Sequence, residues 1–341
     1  MRIIVLLGGD SLERDVSMVS GRAVAAALVQ RGHQVVAVDT AGGKRVDVQS
    51  AVGIGQAPPS TALVPHGNAI HAVERIAAHA FGDVDVVFIA LHGTGGEDGT
   101  IQALLETIGV AYTGSGVLAS SLAMDKELSK RVFRDLGVST PPGFVVHAMT
   151  PLGEITPRVV QECGYPVVVK PNAQGSSVGV SIVEDEGVLA RAVQHAGEFD
   201  DRIVFERFIA GRELTVAVYE GRALPIVEIV PKSGLYDYRS KYTPGSSEYH
   251  VPADVAESVA AELQRQALLC FHGLRCRDFA RVDFRLSRAN TPYCLEVNTI
   301  PGMTPTSLVP KAAGAAGVDF ETLVEGIVRA AAARGSIRSR G

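Results

Sequence analysis

Arg2-Ile3-Ile4-Val5-Leu6-Leu7-Gly8-Gly9 opens the chain with an apolar run that stops at paired glycines. A run this short with no small-residue cleavage site after it predicts the first strand of a buried sheet, not a leader. Past the glycines, Ser17 to Arg31 has helical apolar spacing through Val24, Leu28 and the alanines between them, and Gly32 stops it. Gln34 to Asp39 is the next strand. Strand, loop, helix, strand is the order that builds a parallel sheet, so the chain begins as an α/β fold.

Working outward, 341 residues exceed what one small core needs and predict two or three packed units. Apolar residues make up 46% and charged residues 20%, a globular balance without the polar bias of a disordered chain. The net charge is −5, from 32 basic and 37 acidic residues, and the basic ones are scattered, which argues against nucleic acid as a partner. The apolar run Val84 to Leu91 falls short of the ~20 residues a bilayer span needs, and Asp85 interrupts it, so no membrane partner is expected. Cys163, Cys270, Cys276 and Cys294 form no Cys-x-x-Cys pair. They read as reduced core thiols of a cytoplasmic protein, with no zinc or redox motif.

Residues 41 to 67 are rich in Gly, Pro and Ser and predict a loop or variable insertion. Asp83 to Leu91 reads as a buried strand, followed by the Gly-rich His92-Gly93-Thr94-Gly95-Gly96-Glu97-Asp98-Gly99 and a helix over Thr100 to Ile108. Ligands gather at the carboxyl ends of such strands. A first unit closing near Gly114 follows. Met124 to Leu136 reads as a helix, and Thr140-Pro141-Pro142 ends the connection after it. Pro166 to Lys170 and Gly179 to Val183 predict an antiparallel pair with Gln174-Gly175-Ser176-Ser177 in the loop at its tip. Ile203 to Ile209 and Glu213 to Tyr219 extend the strand pattern. Val255 to Phe271 reads as a helix, Phe279 to Leu286 as a strand with Tyr293 to Asn298 its hairpin partner, and Ala312 to Ala332 as helical sequence broken near Gly317.

Side chains at i and i+2 of a strand share a face, so Arg281 goes with Asp283 and Glu296 with Asn298. If those strands are neighbours, four polar groups meet on one patch. Two carboxylates so placed call for a compensating cation, and oxygen ligands of this kind suit Mg²⁺ held together with substrate phosphates; a solvated face with a structural Arg-to-carboxylate bridge is the plainer alternative. Gly302, after Pro301, lets a backbone N–H come close to a reacting centre, although a simple turn also uses Pro-Gly. Lys170 ends an apolar strand beside the Gly/Ser loop and suits phosphate oxygens, or else snorkels to solvent. No Gly-x-x-x-x-Gly-Lys-[Ser/Thr] occurs, so a Walker-type loop is excluded. Gly114-Ser115-Gly116-Val117-Leu118-Ala119 fits a loose Gly-x-Gly-x-x-Ala, far from the first strand.

Nearly the whole chain resembles the D-alanine:D-alanine ligase family, three-domain ATP-grasp enzymes of bacterial cell-wall synthesis. The resemblance rests on Gly8-Gly9 with Ser11 to Ser17, Leu91-His92-Gly93 through Gln102, Met124-Asp125-Lys126, Lys170-Pro171 and Gly175 to Gly179. It continues through Tyr236-Asp237-Tyr238 with Lys241-Tyr242, Arg281-Val282-Asp283-Phe284, and Leu295 to Met303 with Ser307-Leu308.

That resemblance implies an α/β fold, α+β in its ATP-binding part, with an N-terminal parallel-sheet domain over residues 1–114, a central ATP-grasp subdomain over 115–208 and a C-terminal one over 209–341. It implies that Lys126, Lys170 and Lys241 serve ATP, that Glu206 and Glu213 bind adenine-side and ribose groups, and that Phe208 walls the nucleotide. Asp283, Glu296 and Asn298 would hold two Mg²⁺, with Mn²⁺ a substitute. Glu13 would take the first D-alanine's ammonium, Ser307 and the Leu308 N–H the second carboxylate, and Arg281 with Gly302 the oxyanion. His92 would lie near the substrates, unless it is a structural strand-end histidine. Glu13, Ser176 and Tyr242 would form a hydrogen-bonded bridge beneath a lid at Tyr236 to Tyr242. A cytoplasmic homodimer is the implied state. Within the family, D-lactate or D-serine as second substrate is the rival reading, and outside it a nucleotide-binding module without catalysis.

Overall fold

The computed structural model describes residues 1–47, 84–232 and 246–335. Its first sheet has the order β3-β2-β1-β4, and β1 (Arg2–Leu7) pairs parallel with both β2 (Gln34–Asp39) and β4 (Val86–Ile89). The helix between β1 and β2 spans Arg14–Gln30, starting earlier than its apolar spacing suggests, because Ser11 Oγ accepts from the Glu13 N–H at 3.2 Å and organises the turn ahead of it. Its Val24, Ala25 and Leu28 are buried. Within the span read as loop, Lys44–Val46 forms β3, antiparallel to β2 at the sheet edge. The rest of that span beyond residue 47 lies outside the described residues.

A second sheet, order β5-β8-β6-β7, is built from β5 (Gly143–His147), β6 (Val167–Pro171), β7 (Ser181–Val183) and β8 (Arg202–Arg207), antiparallel throughout. β6 and β7 are the expected pair, with the Gly/Ser loop between them. β5 and the helices Leu152–Arg158 and Leu189–Gly197 had no reading in advance. The third sheet runs β12-β11-β9-β13-β14, with β10 (Arg222–Ala223) on the end of β9 (Gly211–Tyr219). β11 (Val227–Pro231) and β12 (Ser247–His250) form its edge, and β13 (Phe279–Ser287) and β14 (Pro292–Asn298) are the antiparallel hairpin the alternation predicts.

The helix expected over Met124 to Leu136 is Lys126–Asp135, and a second helix with no reading in advance, Val117–Met124, precedes it. Asp125 separates them in an extended conformation, and its carboxylate accepts from the Leu128 N–H at 2.9 Å, so one residue ends a helix and caps the next. The loose Gly-x-Gly-x-x-Ala match opens the first of these, with Gly116 at its N-cap against the Arg277 guanidinium.

One apolar cluster joins first and last parts of the chain: Val5, Val24 and Leu28 pack with Ala217 and Phe279 of the third sheet and with Leu323, Ile327 and Val328 of the helix Phe320–Arg334. No helix among the described residues is long and apolar enough to cross a membrane.

Candidate active site

The β13–β14 register places Arg281 opposite Asn298 and Asp283 opposite Glu296, so all four polar groups share one half-buried face. Val282, Phe284 and Val297 fill the other face, and the hydrophobic alternation therefore fixes which way the polar set points. The register slips just after Asp283. Arg281 donates to both Asp283 oxygens at 2.8 Å, Thr215 on β9 donates to Oδ1 at 2.6 Å, and Asn298 Nδ2 donates to Oδ2 at 2.9 Å. With its amide nitrogen turned to Asp283, Asn298 leaves its oxygen for another partner. Glu296 lies 3.4 Å from the Lys126 ammonium.

Lys126 opens its helix, and the Gln174 carbonyl accepts from its ammonium at 2.6 Å. Asn172 ties the same turn down: its carbonyl accepts from the Lys126 N–H at 3.2 Å and its Oδ1 from the Glu127 N–H at 2.9 Å. Val168 pairs with Glu206 across β6 and β8, so Lys170, two residues on, reaches Glu206 diagonally at 2.9 Å. Glu206 also contacts the buried Lys130. Burial pushes the Lys130 ammonium well below its ordinary range, the Lys170 and Lys126 charges add to that effect, and Cys294 and the Glu296 charge oppose it. A narrow cleft lined by Glu97, Lys126, Gln174, Gly175, Glu296 and Asn298 brings first strand-end loop, Gly/Ser loop and hairpin face together.

Glu13 is buried and accepts from the Ser176 hydroxyl. Gly93 and Gly175 close around it; a methyl group on either would stand within 3 Å of Glu13 Oε2, at 2.8 and 2.6 Å. His92 is buried between Ser20 Oγ at 3.4 Å and Glu97 at 3.8 Å. Burial pushes the imidazole down, but the hydrogen bond and charge of Glu97, the Glu13 charge and the Ile300 carbonyl outweigh it, leaving His92 raised. Ser20 also accepts from the Met303 N–H at 3.2 Å, which fixes the turn holding Gly302. Ser307 precedes the helix Leu308–Ala315, and its hydroxyl shares a hydrogen bond with Thr304 Oγ1 at 2.8 Å, close to Gly302. Leu308 is in the first turn, where N–H groups have no partner within the helix.

Glu213 and Phe208 meet at Arg285, which lies 3.3 Å from the Glu213 carboxylate and 5.6 Å from the centre of the Phe208 ring. Lys241, Tyr242 and the rest of Tyr236 to Tyr242 lie outside the described residues. Sequence reasoning passed over Thr215, Arg285, Lys130 and Ser20. Two of these had a signal: Arg285 continues the i, i+2 row of Arg281 and Asp283, and Lys130 follows Lys126 by one helical turn.

Among the described residues no three His, Cys, Asp or Glu side chains gather into a metal cluster. Two carboxylates with one amide oxygen, as at Asp283, Glu296 and Asn298, match a hard cation that completes its shell with phosphate oxygens and water.

Two family models match: "D-ala D-ala ligase N-terminus" over residues 2–115 and "D-ala D-ala ligase C-terminus" over residues 132–329. The chain is 44% identical over 337 residues to a D-alanine-D-alanine ligase of Syntrophotalea carbinolica, covering 98% of this chain and 97% of that one. A D-alanine-D-alanine ligase of Bacillus anthracis solved in complex with ATP superposes with a TM-score of 0.78 at 30% identity, covering 100% and 99% of the two chains. A D-Ala:D-Ser ligase of Enterococcus faecalis superposes with a TM-score of 0.76 at 26% identity over 96% and 98%.

Proposed function

The chain belongs to the D-alanine:D-alanine ligase family, and from that premise we infer that it joins two D-alanine molecules into D-alanyl-D-alanine with ATP, for peptidoglycan precursor synthesis. What carries the reading at the level of the site is the cleft in which Lys126 and the Gly/Ser loop face the Glu296 and Asn298 side of the hairpin. A cationic wall opposite an oxygen-rich one suits a nucleoside triphosphate whose terminal phosphate is to be transferred.

In the first step a carboxylate oxygen of one D-alanine bonds to the γ-phosphorus and the bond to ADP breaks, giving an acyl phosphate. Lys126 and Lys170 offset the charge on the phosphate oxygens. Mg²⁺ at Asp283, Glu296 and Asn298, with Mn²⁺ as a substitute, would supply Lewis-acid charge neutralisation. In the second step the amine of the other D-alanine bonds to the acyl carbon and inorganic phosphate leaves. Arg281, oriented by its two-point pairing with Asp283, and the Gly302 N–H would receive the tetrahedral oxyanion. Glu13 would hold the first ammonium, His92 would border the substrates, and Ser307 with the Leu308 N–H would hold the second carboxylate. Glu206, Glu213 and Phe208 would contact the nucleoside, Lys241 its phosphates, and Tyr242 would join the Glu13–Ser176 contact when the lid closes and excludes water.

The proposal includes domains over residues 1–114, 115–208 and 209–341, a homodimer, and a place in the cytoplasm. The test is phosphate release and dipeptide formation by the purified protein with ATP, Mg²⁺ and D-alanine. ATP binding without dipeptide would favour a non-catalytic module. A faster rate with D-serine or D-lactate as acceptor would overturn the choice of second substrate.

A further inference from the structure

Lys130 takes no part in the chemistry above, yet among the described lysines beside the cleft its side chain is the most deeply buried, at 4% exposure against 8% for Lys126 and 10% for Lys170. It follows Lys126 at i+4 and so shares a face of the helix Lys126–Asp135. Glu206, on β8, gives one oxygen to Lys130 and the other to Lys170. Glu296 stands by Lys126, and Asp283 is balanced by Arg281.

The two lysines on Glu206 are not equivalent. Lys170 is the next-to-last residue of β6, ahead of the loop whose Gln174 and Gly175 line the cleft. Lys130 lies on the inner side, within electrostatic reach of the fully buried Cys294. On the ATP-dependent reading, Lys170 is the one of the two that turns to the phosphates. If Glu206 had Lys170 as its sole cation, that move would strand a buried carboxylate; Lys130 keeps it compensated.

We propose that Lys130 is a positioning residue, the resident counter-ion of Glu206, which frees Lys170 to exchange between Glu206 and the phosphates of the nucleotide. The proposal rests on the ATP-dependent reading of the site. Its test is titration of K130M, K130R, E206Q and the double variant with a non-hydrolysable ATP analogue, together with KM, kcat and Tm. K130M is expected to weaken nucleotide binding about ten- to a hundredfold while leaving the KM for D-alanine within about twofold, and K130R to restore most of the loss. In the E206Q background, where no carboxylate is left to compensate, K130M should cost less than about threefold. Equal loss in both backgrounds would mean that Lys130 attracts phosphate directly and would overturn the proposal. So would unchanged affinity with a lowered Tm, the mark of a purely structural lysine. Should K130M fail to fold, the double variant compared with E206Q decides the matter by the same threshold. Wild-type protein that binds the analogue but makes no dipeptide would sink the ligase reading and leave this comparison intact.

Discussion

At Glu296 a change of charge can be separated from a change of shape. Glu296→Gln keeps the side chain's volume and its place on β14 but withdraws one negative charge from the face it shares with Asp283 and Asn298. Turnover should fall by about a hundredfold or more, while Tm stays within a few degrees of wild type; activity near wild type would remove Glu296 from the metal assignment. His92 carries a pH signature. Its folded pKa is raised, so its contribution to stability is fully present below its unfolded value of about 6.5 and is lost as pH rises through the higher folded value. Tm against pH should decline through that window in the wild type and flatten in His92→Gln; parallel curves would refute the Glu97 pairing as its source. Asp283, Glu296 and Lys170 were legible because charged residues ending or interrupting apolar strands stand out, whereas Lys126 and Glu206 came only from the family resemblance and Lys130 from neither. Thr215 was not, since a threonine on a strand is ordinary until β13 is known to bring Asp283 against it.

At the scale of elements, β13 and β14 depend on the face turned away from the chemistry. Phe284 is fully buried on that face. Phe284→Ala should cost about 3–5 kcal/mol in urea unfolding. Because Asp283 and Phe284 flank the register slip, the same change should also lower kcat in the molecules that remain folded; a variant with full stability would show that the slip, not the packing, sets the hairpin. Strands such as β1, β4, β13 and β14 could be read directly, because continuous or alternating apolar runs have few other uses. The role of Asp125 could not: the reading put it inside the helix from Met124, and only its extended backbone and its hydrogen bond to Leu128 show it to be the cap. β5 and the helix Leu152–Arg158 were missed for the opposite reason, as neither repeats its apolar residues long enough to announce a period.

For the whole molecule, the junction at Asp278 is the best place to test how firmly the parts are joined. Asp278 accepts from the Gly114 N–H at 2.7 Å and pairs with Arg334, whose guanidinium also reaches the Tyr112 carbonyl at 2.8 Å. Arg334→Met leaves Asp278 buried without its cation, and a loss of about 3–5 kcal/mol is expected, measured as a lower denaturation midpoint. One cooperative transition that shifts as a whole would fit the shared apolar cluster; an early, separate transition of the first sheet would show that the cluster does not couple them. No sequence pattern foretold this junction, because Tyr112, Asp278 and Arg334 lie far apart along the chain and meet only once the sheets are stacked. The cluster also sets an order in time. Val5 and Leu28 share one core with Leu323 and Ile327, so the core beside β1 closes only after the helix Phe320–Arg334 has been made. A nascent chain of this protein therefore carries apolar surface beside β1 uncovered until that helix is complete.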